Sequence, residues 1–235
     1  MTNDSRTIPD AEPHAAAVDL ATALRELIET SVTTTVAAAE VRAAAELVRQ
    51  VTERLAVARR PASQLPALDD VATGRRVFNP VTGAGSPLAP PLVVRRDSDG
   101  VIGYATLGVA YEGPPSFVHG GMSALLMDQL LGSAAAAAGL WGMTAHLELD
   151  YRGPFPLEKR LVLRGAVTRA EGRKAVITGT IALADDPDAV LVEASGVFVL
   201  PRPEKVEAYF GTITDAAGRH TRPRRPGDAT ALDQD

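Results

Sequence analysis

The sequence predicts an α+β fold in which an antiparallel sheet wraps around one long central helix, preceded by a helical extension. Three observations lead there. The segment from about His119 to Ala138 is helical in composition and apolar on nearly every side. Stretches that read as strands lie on both sides of it. The turns between successive strands are too short to hold the crossover helices that parallel strands need. A helix that is apolar around its whole circumference has to be enclosed, and a sheet wrapped around it does so.

The elements follow in order. Met1 to Pro13 is polar and acidic, unlike a secretory signal with its cationic start and apolar middle. Residues 1–13 are expected to be disordered. Residues 14–60 form the helical extension: Ala is abundant, and Leu20, Leu24, Leu27 and Ile28, then Leu47, Val48, Val51 and Leu55, recur at three- and four-residue steps. This is the pattern of an amphipathic packing arm. The β-branched run Thr33-Thr34-Thr35 predicts a bend or break within it. Residues 61–91 turn to Pro, Gly, Ser and Ala, which makes a linker or wrapping loop.

The sheet and its helix occupy residues 92–202. Strands at Leu92–Arg96 and Val101–Tyr111 flank the turn Asp97-Ser98-Asp99-Gly100. After the helix, strands are expected at Thr144–Arg152, Leu161–Arg169, Lys174–Leu183 and Val190–Leu200. Glu171-Gly172 and Asp185-Asp186-Pro187-Asp188 make the last two turns. In the first of these strands Ala145, Leu147, Leu149 and Tyr151 point inward, against Thr144, His146, Glu148 and Asp150. Residues 203–235 hold a short helical turn around Glu204 to Tyr209 and are otherwise expected to be a disordered tail.

Composition excludes several function classes. A net charge of −5 over 235 residues argues against a nucleic-acid partner. The absence of cysteine removes disulfides, thiolate metal sites and cysteine nucleophiles together. The four histidines are scattered without an HxxxH spacing, so neither a metal nor another cofactor is expected. The longest apolar run, Ala134 to Met143, is about half of the roughly 20 residues that span a bilayer. A soluble, cytoplasmic protein with no membrane span is the expectation.

The chemistry concentrates between Tyr111 and Asp128. Gly120 and Gly121 at the mouth of the helix let a ligand approach the backbone closely. First-turn N–H groups have no intrahelical partners, and the helix dipole makes that end slightly positive. A carbonyl oxygen gaining charge in a tetrahedral transition state suits that position. Between Met122 and Leu131 the only formal charge is Asp128. A carboxylate withdrawn from water usually has a partner or a task. Asp128 is a residue on a solvent-facing stripe, a satisfied structural carboxylate, or a general base that activates water. No GxSxG elbow appears, so a serine nucleophile is not expected.

Gly120 and Asp128 stand eight residues apart, about 12 Å along a helix. One acyl carbon cannot sit within reach of both on the same helix. It can if two such helices lie antiparallel across a twofold axis. The pattern therefore predicts a homodimer, or a dimer of dimers, with shared sites.

At GPPSFVHGG (113–121), Asp128, TAHLELDYRGPFPL (144–157) and EGRK (171–174) the sequence resembles the PaaI-like, Them-type branch of hotdog-fold acyl-CoA thioesterases. The similarity covers roughly residues 78 to 200. It implies hydrolysis of an acyl-CoA thioester in fatty-acid metabolism, with Asp128 as general base or nucleophile and the Gly120 amide as oxyanion hole. His119 would position the thioester carbonyl, although a helix-capping histidine fits the same place. Thr144 would help hold the water near Asp128. The resemblance further implies substrate contacts at Gly121 and CoA contacts at Asp150, Arg152, Arg173 and Lys174, where cations suit phosphates. Two rival activities fit the same hotdog fold: an enoyl- or hydroxyacyl-thioester hydratase or dehydratase, and a non-catalytic acyl-CoA sensor.

Overall fold

A computed structural model describes residues 11–69 and 76–221 of the chain. It contains the helices α1 (Ala11–Thr33), α2 (Ala38–Ala56), α3 (Gly120–Ala137) and α4 (Pro203–Phe210). The strands are β1 (Val93–Asp97), β2 (Gly100–Thr106), β3 (Met143–Tyr151), β4 (Arg160–Glu171), β5 (Lys174–Leu183) and β6 (Asp186–Val199). All six strands join one antiparallel sheet in the order β1-β2-β4-β5-β6-β3. The sheet curves around α3, which packs on every strand. This is the hotdog architecture.

The reason α3 is central lies in its side chains. Leu126, Met127, Leu130 and Leu131 are completely buried, each worth roughly 1.5–3 kcal/mol against exposure. What lets the sheet approach them is a trough of glycines on neighbouring strands: Gly103, Gly165, Gly179 and Gly196. A methyl group on Gly179 would lie 2.6 Å from the Arg164 carbonyl oxygen and 2.7 Å from Met127 Cε. Gly179→Ala should therefore destabilise the fold by about 1–3 kcal/mol through overpacking. Urea unfolding checks this: the midpoint falls while the slope stays constant.

Several expectations on element boundaries need correction. The second strand stops at Thr106, and Val109–Tyr111 forms a single 3₁₀ turn rather than the strand's end. The expected Asp185–Asp188 turn is shorter, because Asp186 already opens β6 opposite Leu183. The first helix begins at Ala11, inside the segment expected to be disordered. Residues 1–10 lie outside the described residues, as do 222–235 of the expected tail. Between Gly211 and Thr221 the tail is ordered, contrary to expectation. Thr214 bridges Gln64 and His220, and the Phe210 ring meets Trp141 at 6.0 Å between centroids. Backbone pairing thus holds a segment whose composition reads as disordered, next to the aromatic contact at the end of α4.

The break in the helical extension falls between Thr33 and Ala38, at the threonine run. α1 packs on the body and buries Ala21. α2 buries no residue, and its apolar stripe of Val41, Val48, Val51 and Leu55 faces outward. The described parts of segment 61–91 carry no helix or strand. That segment is nonetheless held on the core by Val77, Val81 and Ala89, all buried. Asn79 ties it to α3 by donating to Gln129 Oε1 at 2.9 Å, while Asn79 Oδ1 accepts the amides of Val81 and Thr82. Among the described residues no helix is long and apolar enough to cross a membrane. None of their acidic, His or Cys side chains cluster as metal ligands.

Candidate active site

The site begins where β-type backbone turns into α3. His119 has φ −61° and ψ 130° and caps the helix: its Nδ1 accepts the Gly121 N–H at 2.9 Å. Its carbonyl accepts the Met122 N–H at 2.9 Å. The Gly120 N–H is left without a partner among the described residues, at the positive end of an 18-residue helix. Because Nδ1 is an acceptor, the neutral His119 ring carries its proton on Nε2. The capping role and the site position of His119 are compatible, since they use different ring nitrogens. Gly121 spends its amide on the cap.

Nothing in the single chain requires glycine at Gly120. A methyl group there would meet only the Tyr151 ring, at 3.5 Å, which is ordinary contact. Helix propensity alone would favour alanine by up to about 1 kcal/mol. A glycine in this place leaves the amide open to an approaching ligand.

One strand touches α3 at its first residue and again at its middle. Thr144, at the start of β3, donates its hydroxyl to Asp128 Oδ1 at 2.7 Å. Tyr151, at its end, donates to the Gly120 carbonyl at 2.9 Å. Thr144 was expected on the outward face of β3, with Ala145 inward. The structure reverses this. The register against β6 shifts between Thr144 and His146, so Ala145 is bulged out of the ladder. One extra residue changes which face the strand presents, and Thr144 turns toward α3. Beyond the bulge, Leu147 and Leu149 pack on the core as the alternation predicts.

Asp128 is half-buried, and its second carboxylate oxygen has no partner among the described residues. An ionised carboxylate with one oxygen held by a hydroxyl and the other free can orient a water and take its proton. β3 itself is an edge strand, exposed along most of its length.

The expected CoA contacts do not gather in one chain. Lys174 is in register with Val199, which faces Met143, so the β4–β5 hairpin with Arg173 and Lys174 lies at the Asp128 end of β3. Asp150 and Arg152 lie at the Gly120 end. Arg152 contacts Glu193 at 2.7 Å and Asp150 at 3.8 Å. The hydrogen bond that Arg152 donates to Glu193, then the Glu193 charge, raises the pKa of Arg152 above its already high value. Arg173 donates to the Leu200 carbonyl at 2.7 Å.

Three contributors escaped the sequence reading. Tyr151 was assigned only to the inward face, and its hydroxyl pins the helix start. Asn79 fixes Gln129, the neighbour of Asp128. Glu29 accepts the amides of Val109 and Ala110 at 2.7 and 3.1 Å, close to Tyr111. Burial pushes the Tyr111 phenol up from its ordinary pKa, Arg25 pulls it down, and Glu29 pushes it up again. Only Tyr151 left a local signal, as an inward polar tip at the end of a strand.

Comparison with known proteins places these residues in context. The thioesterase superfamily model matches residues 116–190, from just before His119 to the first third of β6. Acyl-coenzyme A thioesterase THEM4 of Mus musculus is 36% identical over 98 residues, 42% of this chain and 42% of that protein. Acyl-coenzyme A thioesterase THEM5 of Homo sapiens is 32% identical over 92 residues, 39% of this chain and 37% of that protein. The matches span about two fifths of the length of these curated relatives. A crystal structure of a thioesterase superfamily protein aligns far more completely, at 38% identity and a TM-score of 0.67, covering 78% of this chain and 94% of the other. With a relative of that identity matched over nearly its whole length, and the central helix and β3 inside the matched segment, the chain belongs to the thioesterase superfamily.

Proposed function

We propose that the chain is an acyl-CoA thioesterase, hydrolysing an acyl-CoA thioester to a free acid and CoA in sites shared across a homodimer. The supporting observation is the placement of two complementary groups at opposite ends of one exposed edge strand. The Thr144–Asp128 pair stands at one end of β3, and the unpartnered Gly120 amide stands at the other. A second β3 paired antiparallel along the free edge, about a twofold near Leu147, brings the partner's Gly120 end to this chain's Asp128 end. The same operation brings Asp150 and Arg152 of one protomer toward Arg173 and Lys174 of the other. An uncovered edge with its own unpaired N–H and C=O groups favours such pairing.

In that site Asp128, held by Thr144, takes a proton from water as the water oxygen attacks the thioester carbon. The carbonyl electrons move to oxygen, where the Gly120 N–H and the helix dipole stabilise the charge. His119 offers its Nε2–H beside the same oxygen. Collapse of the tetrahedral intermediate breaks the C–S bond, and the proton passes from Asp128 to the departing thiolate. The names of the curated relatives support acyl-CoA as the substrate class. A cytoplasmic setting and a part in fatty-acid metabolism belong to the same proposal.

Incubating the protein with acyl-CoAs of graded chain length and a thiol-reactive dye tests it. Stoichiometric release of free CoA and carboxylic acid is the expected result. Hydration of crotonyl-CoA without thiol release would assign the chain to the hydratases instead, and tight binding without turnover to the sensors.

A further inference from the structure

α1 meets the body through three residues on one face, each with a different task. Ala21 is buried. One turn on, the Arg25 guanidinium donates to the carbonyls of Ala84 and Ser86, at 3.2 and 2.9 Å. A further turn on, the Glu29 carboxylate receives two amides, Val109 N–H at 2.7 Å and Ala110 N–H at 3.1 Å. The cation binds carbonyls and the anion binds amides. Glu29 thereby caps the 3₁₀ turn Val109–Tyr111 from 80 residues away. The fit is close: a methyl group on Gly108 would lie 2.6 Å from Glu29 Oε2 and 2.7 Å from Oε1. Glycine at that position makes room for the carboxylate.

The turn that Glu29 caps leads straight to the helix mouth. The Tyr111 carbonyl, its last, accepts the His119 N–H at 2.9 Å. Glu112 bridges Val118 behind it, and a methyl group on Gly113 would lie 2.7 Å from His119 Cα. His119 is the residue whose backbone and ring set the first turn of α3, and Gly120 follows it. Glu29 is thus connected to the residue before Gly120 through its two amide contacts, the 3₁₀ turn and the Tyr111–His119 backbone hydrogen bond. It lies far outside residues 116–190, the segment matched by the superfamily model.

From this we infer that Glu29 is a positioning residue for the Gly120 oxyanion donor, which makes the N-terminal helix part of the catalytic corner. The inference rests on the thioesterase reading for its kinetic consequence, but not for its structural one. Oxyanion stabilisation depends on donor placement at the scale of tenths of an ångström to 1 Å. Losing the cap frees the 3₁₀ turn, and with it the Tyr111 carbonyl that holds His119.

The test uses the full chain, with Glu29→Ala and Glu29→Gln beside Arg25→Ala as a control that loosens α1 elsewhere. Amide hydrogen exchange is read at Val109, Ala110 and His119, and turnover is read as kcat and KM separately. Glu29→Ala should raise exchange at all three amides at least tenfold and lower kcat about tenfold, with KM within about twofold. Glu29→Gln, which keeps one acceptor, should fall between. Arg25→Ala should leave the His119 amide protected and kcat within about twofold. Unchanged His119 exchange in folded Glu29→Ala overturns the inference, and so do equal kcat losses in the Glu29→Ala and Arg25→Ala variants. If the wild-type chain releases no CoA, the functional reading fails, while the exchange measurement still decides whether Glu29 holds the corner.

Discussion

Asp128→Asn should lower kcat for acyl-CoA hydrolysis by about 10²–10⁴ while the fold survives. Both halves of that expectation come from the Thr144 contact. An asparagine oxygen still accepts the Thr144 hydroxyl in place of Asp128 Oδ1, so the link between α3 and β3 persists. What is lost is the basic carboxylate oxygen that would take the proton from water. A structural carboxylate would behave in the opposite way, with a clear drop in unfolding midpoint and near-normal turnover. Measuring kcat and the urea midpoint on the same preparation separates the two.

The second large effect is expected at Gly120. Gly120→Pro removes the amide hydrogen and puts a ring in its place, with the helix backbone kept. Proline is favoured at the first position of a helix, whose N–H needs no intrahelical partner. His119 already has the extended backbone that a residue before proline requires, with ψ 130°. Turnover should fall about 10²–10³-fold, the loss typical of one oxyanion donor. Gly120→Ala keeps the N–H and adds only a methyl group, so it should lose less, by the steric share alone. If both variants lose activity equally, the methyl group rather than the amide is responsible, and the oxyanion assignment is wrong.

Much of this was legible from local pattern. The apolar α3 with its single charge marked Asp128. Alternating segments joined by short turns gave the antiparallel meander, and the threonine run marked the gap between α1 and α2. The unread parts depend on contacts distant in the chain or on single-residue shifts in register. The Ala145 bulge inverted the assignment of Thr144, because alternation continues smoothly through that point in the sequence. Gly103, Gly165, Gly179 and Gly196 look like weaknesses in their strands. They are where α3 seats, which becomes visible only once the strands are aligned. Glu29 resembles any solvated helix acid, and its partners are backbone amides that no side-chain pattern reveals. The ordered segment 211–221 was missed for a similar reason, since Gln64 and Thr214 pair through the backbone.

The site also explains why glycine rather than alanine opens α3. In a lone chain the extra methyl would be harmless. In the proposed site, a thioester approaching the Gly120 amide would give that position a steric demand.

The shared site is tested most directly by pairing the two disabled chains. Asp128→Asn and Gly120→Pro chains carrying different affinity tags are co-expressed, and the mixed dimer is isolated through both tags. In the mixed dimer one interface site combines an intact Gly120 amide with an intact Asp128, and the other lacks both. Its turnover should recover to about half that of the wild-type dimer, although each parent is nearly inactive. A mixed dimer no more active than its parents would mean that each site is built within a single chain.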